Sequence, residues 1–186
     1  MGLYSGSGCS VDVISDDLGV AGLCSTNDAP LIIRSPRGHQ VSVISTNFLL
    51  DRQGFVRLQA LRFNNTSTNA LLCMADAEGP ALASCIVKCD VLVTNCAGAE
   101  VIGNTFDYQS RTNQLLFDSC SGVNLHNTIF LNDTLAAPPR AWTTNTTIDI
   151  SHNVYYPTDW ITAGETERLN TDPMLDPTDY FITDSA

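Results

Sequence analysis

Apolar and polar residues alternate in short runs along most of this chain, and several of the runs recur. The phrases AEVIGNTF (99–106) and VNLHNTIF (123–130) each contain two apolar residues two apart, an asparagine and a phenylalanine. Weaker copies are VRLQALRF (56–63) and IDISHNVY (148–155). No segment shows sustained apolar spacing at i, i+3, i+4 and i+7, so the pattern predicts strands and no helix.

The repeated phrases predict which side chains lie over one another. Their alignment matches Asn104 with Asn127 and Phe106 with Phe130, and adds Phe63 from a weaker copy. Repeats of about 20 to 25 residues built from short strands are typical of solenoids. Successive coils stack about 4.8 Å apart, so equivalent residues meet. We therefore predict a phenylalanine column in the core and an asparagine ladder along a turn.

A second phrase and the cysteines share this period. Asn-x-Leu-Leu occurs three times within 47–116, with steps of 22 and 44 residues between successive copies. Cys73, Cys96 and Cys120 are spaced 23 and 24 residues apart, one coil each. The spacing predicts a buried ladder of small apolar thiols, and disulfides between neighbouring coils are the alternative.

These periods favour one fold class over another. A β-sandwich also consists of short strands, but it does not require the same side chain at the same phase of each repeat. We therefore predict an all-β chain, a single parallel β-helix of roughly six coils with about 22–24 residues each. Residues 1–29 are expected to form an N-terminal segment with a first strand, 30–160 the solenoid, and 161–186 an extended tail packed on the solenoid.

The phrases resemble a known superfamily. FVRLQALRFNN (55–65), AEVIGNTF, VNLHNTIF and IDISHNVYY (148–156) look like coils of the right-handed parallel β-helix superfamily, the pectate-lyase-like fold with PbH1-type repeats. The tail TDPMLDPTDYFITDSA (171–186) is similar to the segment that often closes such domains. The resemblance covers roughly 30–186 and implies a right-handed solenoid. It implies no single activity, because the superfamily holds lyases, hydrolases, adhesins and inert scaffolds.

Candidate catalytic residues are few. Lyases of the resembling superfamily need a cationic base with acids around it, and Lys88 and Arg111 stand alone in the central coils. The hydrolase phrase Asn-Thr-Asp recurs only at 170–172, in the tail. His126 and His152 lie at nearly the same phase, and we interpret them as polar turn residues. We predict no catalytic residue, no metal site and no cofactor.

Seven cysteines in 186 residues favour an oxidising compartment. Cys9 and Cys24 are candidates for a disulfide, and so are Cys85 and Cys89, although pairing cannot be read from sequence. The spacing in CIVKC, without clustered histidines, argues against zinc. Four sequons agree with export, although several would arise by chance in a chain rich in Asn and Thr. The candidate glycosylation sites are Asn64, Asn65, Asn132 and Asn145.

Charge and hydropathy limit the partners. The net charge of −11 argues against nucleic acid, since phosphates attract Lys and Arg. No apolar run is long enough to span a membrane.

The function predicted is structural. Solenoid ends normally carry a cap, and neither terminus shows a helical pattern, so copies could stack end to end as an extracellular fibre, sheath or appendage. The alternative is a carbohydrate-active enzyme, either a polysaccharide lyase or a hydrolase, or a glycan-binding module. A candidate aromatic platform for a polysaccharide is formed by Trp142, Tyr155, Tyr156 and Trp160.

Overall fold

The fold was obtained as a computed structural model, which describes residues 10–12, 30–35, 43–44, 47–64, 71–107, 115–131, 141–156 and 172–175. Every regular element in these ranges is a β-strand. In chain order the strands are β1 (Ser10–Asp12), β2 (Leu31–Arg34), β3 (Val43–Ile44), β4 (Phe48–Asp51), β5 (Val56–Gln59), β6 (Arg62–Asn64), β7 (Leu71–Ala75), β8 (Ala81–Ala83), β9 (Ile86–Lys88), β10 (Asp90–Thr94), β11 (Glu100–Ile102), β12 (Thr105–Asp107), β13 (Leu115–Asp118), β14 (Val123–His126), β15 (Ile129–Leu131), β16 (Ala141–Thr144), β17 (Ile148–Ser151) and β18 (Val154–Tyr156).

The strands form three parallel sheets that the chain visits in rotation. Sheet 1 has the order β1-β2-β5-β8-β11-β14-β17, sheet 2 the order β3-β6-β9-β12-β15-β18, and sheet 3 the order β4-β7-β10-β13-β16. Each strand pairs in parallel with its equivalent one turn away. The chain is therefore an all-β solenoid of stacked parallel strands, and the predicted fold class is confirmed. The described part of the chain contains no helix capable of crossing a membrane.

The number and length of the turns differ from the prediction. Sheet 3 holds five strands, so about four turns are complete in all three sheets, fewer than the roughly six predicted. Phe106 and Phe130 are 24 positions apart in neighbouring turns, but Ile86 and Thr105 are only 19 apart. The short turn arises because Cys89 alone joins β9 to β10, whereas three to nine residues join sheets 2 and 3 elsewhere.

Inward and outward side chains alternate along each strand, as a period of two requires. In β5, Val56 and Leu58 are buried, and Arg57 and Gln59 face outward with partial exposure. The stacked inward residues form one apolar core along the solenoid axis. The core extends to the last described strand of sheet 2, since Tyr155 in β18 is only 2% exposed.

The predicted boundaries at 29/30 and 160/161 remain predictions. Of residues 1–29 the structure describes Ser10–Asp12, which pairs with β2. Of residues 161–186 it describes 172–175.

Candidate functional site

A column of aromatic side chains fills the core behind sheet 2. Phe106 and Phe130 stack with ring centroids 5.2 Å apart, and Phe130 stacks on Tyr155 at 5.1 Å. Phe63 lies in the same column, with Val87 between it and Phe106. All three predicted phenylalanines are buried, and their column continues into a tyrosine that the sequence analysis had assigned elsewhere.

The burial of Tyr155 removes it from the predicted glycan platform. Its ring packs in the core, whereas Tyr156 faces outward from sheet 2 with partial exposure. Trp142 lies in sheet 3, and its side chain is outside the described part, as is all of Trp160. The alternation of β18 places adjacent tyrosines on opposite faces, so Tyr155 cannot share an outward aromatic surface with Tyr156.

The polar ladder forms between sheets 1 and 2, but with a different membership. Asn104 accepts a hydrogen bond from Cys85 N–H and donates to the Leu82 carbonyl, both at 2.9 Å. Asn153 repeats this arrangement with Thr128 N–H and the Leu125 carbonyl. The buried amide side chains thus act as hydrogen-bond partners for backbone groups at the corner between the two sheets.

Asn127 is not part of this ladder, and its alignment with Asn104 was wrong by one position. The paired strands put Asn104 level with Thr128, and Asn127 is an exposed residue at the preceding turn position with φ of 53°. Asparagine is among the few residues that tolerate this left-handed conformation. The repeat phrases therefore aligned two asparagines that have different roles in the structure.

The predicted cysteine ladder loses one member. Ala97 and Ser121 form a bridge between turns, so Cys96 and Cys120 are level with each other. Cys73 instead lies in β7 beside Leu49 and Leu92, on the outward face of sheet 3. The 19-residue turn between β7 and β10 explains the error, because it shifts Cys96 four positions away from the equivalent of Cys73.

Cys85 and Cys89 are free thiols, as are all five cysteines in the described ranges. They lie at opposite ends of β9, and a strand rises about 3.3 Å per residue. Their Cα atoms are therefore about 13 Å apart, beyond the limit of roughly 7 Å for a disulfide. Burial raises the pKa of both thiols to about 12. The local pair predicted from CIVKC is not formed; Cys9 and Cys24 lie outside the described residues.

Two of the four sequon asparagines fall in described segments. Asn145 is exposed in a left-handed turn with φ of 50°. Thr146 and Thr147 of this sequon accept hydrogen bonds from Cys120 N–H and Gly122 N–H, so the hydroxyls also serve the turn below. Asn64 lies at the end of β6 and its Oδ1 is buried, so it is less accessible than Asn145. Asn65 and Asn132 lie outside the described residues.

The two histidines noted above meet around a serine. Ser151 Oγ lies 2.6 Å from His126 Nδ1 and 2.9 Å from His152 Nδ1. The Asp149 carboxylate is 3.8 Å from His126 Nε2 and largely exposed. Ser151 itself is only 8% exposed, and its hydroxyl joins two neighbouring turns through His126. His126 in β14 and Ser151 in β17 occupy equivalent positions in neighbouring turns. His152 follows Ser151 and has a left-handed backbone conformation.

The other basic and acidic candidates also have structural partners. Lys88 Nζ is 2.9 Å from Asp107 Oδ2 on the neighbouring turn, and Asp107 is 3% exposed. This ion pair occupies the one lysine of the chain. Asp172 accepts a hydrogen bond from Met174 N–H, a local turn that explains the carboxylate of the Asn-Thr-Asp phrase. Arg111, Asn170 and Thr171 lie outside the described residues.

An open depression of about 100 Å³ lies where the corner between sheets 3 and 1 meets the outer face of sheet 1. Arg57 reaches across Ala81 to Glu100, two turns away, and its Nη2 is 2.9 Å from Glu100 Oε2. The two charged side chains are 41% and 37% exposed. This pair could not be predicted from the sequence, since its members are 43 positions apart. The lining residues are Pro30, Phe55, Arg57, Gly79, Ala81, Gly98 and Glu100.

Phe55 is unusual in this depression. It has φ of 53°, a conformation that Gly79, Gly98 and Gly122 adopt at the corresponding corner of later turns. Its ring lies against Gly79, where an added Cβ would approach the ring to 2.7 Å. A bulky residue in the left-handed region costs about 1–3 kcal/mol. Phe55 is therefore a bulky residue in a strained backbone conformation at this corner.

Comparison with protein-family models, with curated proteins and with solved structures gives no match for this chain.

Proposed function

We propose that this chain is a structural β-solenoid that assembles end to end into an extracellular fibre, sheath or appendage. The observation that carries the proposal is the parallel stacking itself. At each end of the described solenoid the outermost strands bond to one neighbour, with their other edge unpaired by any described strand. Parallel strands all run the same way, so the last turn of one copy can pair with the first turn of the next.

The mode of contact follows from the burial of the end residues. Tyr155 and Ile150, in the outermost described turn, are 2% and 7% exposed. Copies would therefore join through strand edges rather than through an open apolar cross-section, and assembly would depend steeply on concentration. An extracellular location is supported by the sequons and by the single lysine. The five described thiols, all free, do not add to that support.

An edge variant tests the assembly. Val123 N–H donates to the Thr147 carbonyl of the next turn, and Ile148 occupies the equivalent position in β17. Its N–H therefore points away from β14, to the edge of β17 that no described strand pairs with. Ile148→Pro removes this donor at a strand start, where proline is tolerated. We expect unsubstituted protein to form elongated particles as concentration rises, and Ile148→Pro to remain monomeric.

Light scattering after size exclusion and negative-stain imaging measure this outcome. Ile148→Val is the matched control and should assemble like the unsubstituted chain. Circular dichroism must show that the proline variant keeps its β-structure. Monodisperse monomers of the unsubstituted chain at every concentration would contradict the proposal.

We also propose that the solenoid is a right-handed β-helix of the pectate-lyase-like type. Support comes from Asn104 and Asn153, each buried in a two-residue corner after a left-handed residue. Connections between parallel strands are right-handed in nearly all proteins, which supports the hand.

A second candidate function is glycan binding, and Phe55 is the specific observation that favours it. An aromatic ring beside an ion pair offers one stacking surface and several hydrogen-bonding groups, the usual elements of a polar small-molecule site. The net charge of −11 opposes acidic polysaccharides, so a neutral sugar fits better.

Phe55→Gly separates this role from a structural one. Glycine adopts the left-handed conformation at no cost, so thermal stability should stay constant or rise. Loss of the ring should weaken binding of neutral oligosaccharides at least tenfold, about 1.4 kcal/mol. Titration calorimetry with a panel of neutral oligosaccharides measures this, with Leu49→Ala, on another face, as the control. Equal affinity of the glycine variant would remove Phe55 from any such site.

A further inference from the structure

Cys96 and Cys120 occupy the same position in neighbouring turns. Both follow a strand of sheet 3, and the bridge between Ala97 and Ser121 fixes them level with each other. Ser121 N–H donates to the Cys96 carbonyl at 2.9 Å, so the backbones are in direct contact. Neighbouring parallel strands are about 4.8 Å apart, which lies within the roughly 4.4–6.8 Å that disulfides span between Cα atoms.

The side chains share one enclosed space. Cys96 and Cys120 are 2% and 3% exposed. Burial raises the pKa of the Cys120 thiol, and hydrogen bonds from Cys96 oppose this effect. The column continues into Ala77 on one side and Thr146 on the other, because Ala97 N–H donates to the Ala77 carbonyl and Thr146 Oγ1 accepts from Cys120 N–H.

Loss of the thiol hydrogens would leave no orphaned acceptor at the strand ends. The Thr94 carbonyl contacts Cys96 Sγ at 3.2 Å and already accepts Asp76 N–H at 3.0 Å. The Asp118 carbonyl contacts Cys120 Sγ at 3.3 Å and already accepts Asn95 N–H at 2.9 Å. The usual penalty for removing a buried donor is therefore absent at these two carbonyls.

We propose that Cys96 and Cys120 form a disulfide that fastens two neighbouring turns when the chain folds in an oxidising compartment. One thiolate attacks a low-molecular-weight disulfide such as oxidised glutathione, giving a mixed disulfide and one molecule of reduced glutathione. The second thiolate then displaces a second molecule of reduced glutathione, and the S–S bond forms. Two electrons pass to the glutathione disulfide, and the two protons of the cysteines end on the released thiols.

The other described cysteines lie elsewhere in the fold. Cys85 and Cys89 are separated by the length of β9, and Cys73 faces outward with leucines beside it on both turns. The bond is also one that forms during folding, since burial raises the pKa of Cys96 to about 11 in the folded chain. Few thiolates are available there to attack an oxidant. The disulfide would form whether or not copies of the chain assemble into a fibre.

Refolding with glutathione tests the proposal. The full chain is unfolded and reduced, then refolded in a mixture of reduced and oxidised glutathione, quenched in acid and mapped after trypsin digestion without reduction. Trypsin cuts after Lys88, Arg111 and Arg140, so Cys96 lies in peptide 89–111 and Cys120 in peptide 112–140. We expect these two peptides to be joined, with the loss of two hydrogens.

Two variants make the assignment unambiguous. Peptide 89–111 also contains Cys89, so Cys89→Ser should keep the joined peptides and Cys96→Ser should lose them. If the Cys96 variant fails to fold, the Cys89→Ser map alone decides. The oxidised chain should also unfold at a higher urea concentration than the reduced chain. The bond joins cysteines 24 positions apart and so closes a loop in the unfolded chain, which lowers its conformational entropy. A refolded, β-structured chain with both thiols still alkylatable, or with Cys120 joined mainly to other cysteines, would overturn the proposal.

Discussion

Phe130→Ala is expected to destabilise the solenoid by about 3–5 kcal/mol, the range for removing a buried aromatic side chain. Phe130 is 1% exposed and stacks between Phe106 at 5.2 Å and Tyr155 at 5.1 Å. The substitution removes ring contacts on both faces and leaves a cavity that two fixed turns cannot close. Urea denaturation followed by circular dichroism measures the change in free energy of unfolding.

Two controls show whether the column carries the effect. Phe130→Leu keeps most of the apolar volume, so the loss should fall to about 1–1.5 kcal/mol. Leu49→Ala removes an apolar side chain that is 58% exposed on sheet 3, and it should change stability by about 0.5 kcal/mol or less. Equal losses for Phe130→Ala and Leu49→Ala would contradict the stacked column.

Asn104→Ala is the second large effect expected, at about 2–5 kcal/mol. The Asn104 side chain is 1% exposed and satisfies Cys85 N–H and the Leu82 carbonyl, both buried within the corner. Alanine leaves these groups without their side-chain partner, and each unsatisfied buried group costs about 1–3 kcal/mol. Thermal melts and urea titrations should agree in direction.

Asn127→Gly is the matched control for this substitution. Asn127 is exposed, and glycine adopts its φ of 53° readily, so the change should stay below about 1 kcal/mol. The two asparagines look equivalent in the repeat phrases, but they differ by one position in the turn and in burial. Similar effects at both positions would show that the side-chain bonds of Asn104 do not support the corner.

The repeat phrases predicted the class of fold for a physical reason. A parallel solenoid places each residue over its equivalent, so a favourable stack such as Phe106 on Phe130 appears in sequence as a period. Alternation within the strands likewise predicted which residues face the core. The candidate sites were predicted less well, because chemistry depends on which turns lie beside each other and not on the average period.

One detail shows where the period fails, and another where it holds. The single-residue connection at Cys89 shortens one turn to 19 residues, which removes Cys73 from the cysteine column and leaves Cys96 level with Cys120. The alternation in β18 buries Tyr155 beside its outward neighbour Tyr156. The length of the short turn does not follow from the average spacing, since corner lengths vary with little change to the strands they connect. The burial of Tyr155 agrees with its place in the repeat copy 148–155, at the position of Phe130.

The sequence by itself determined an all-β chain of short, repeating, stacked strands, because the side-chain pattern of a solenoid is one-dimensional and can be read along the chain. Only the tertiary structure decided the membership of each column, the free state of Cys85 and Cys89, and the Arg57–Glu100 pair across Ala81. Those features join residues from different turns, and their contacts depend on the length of every corner between them.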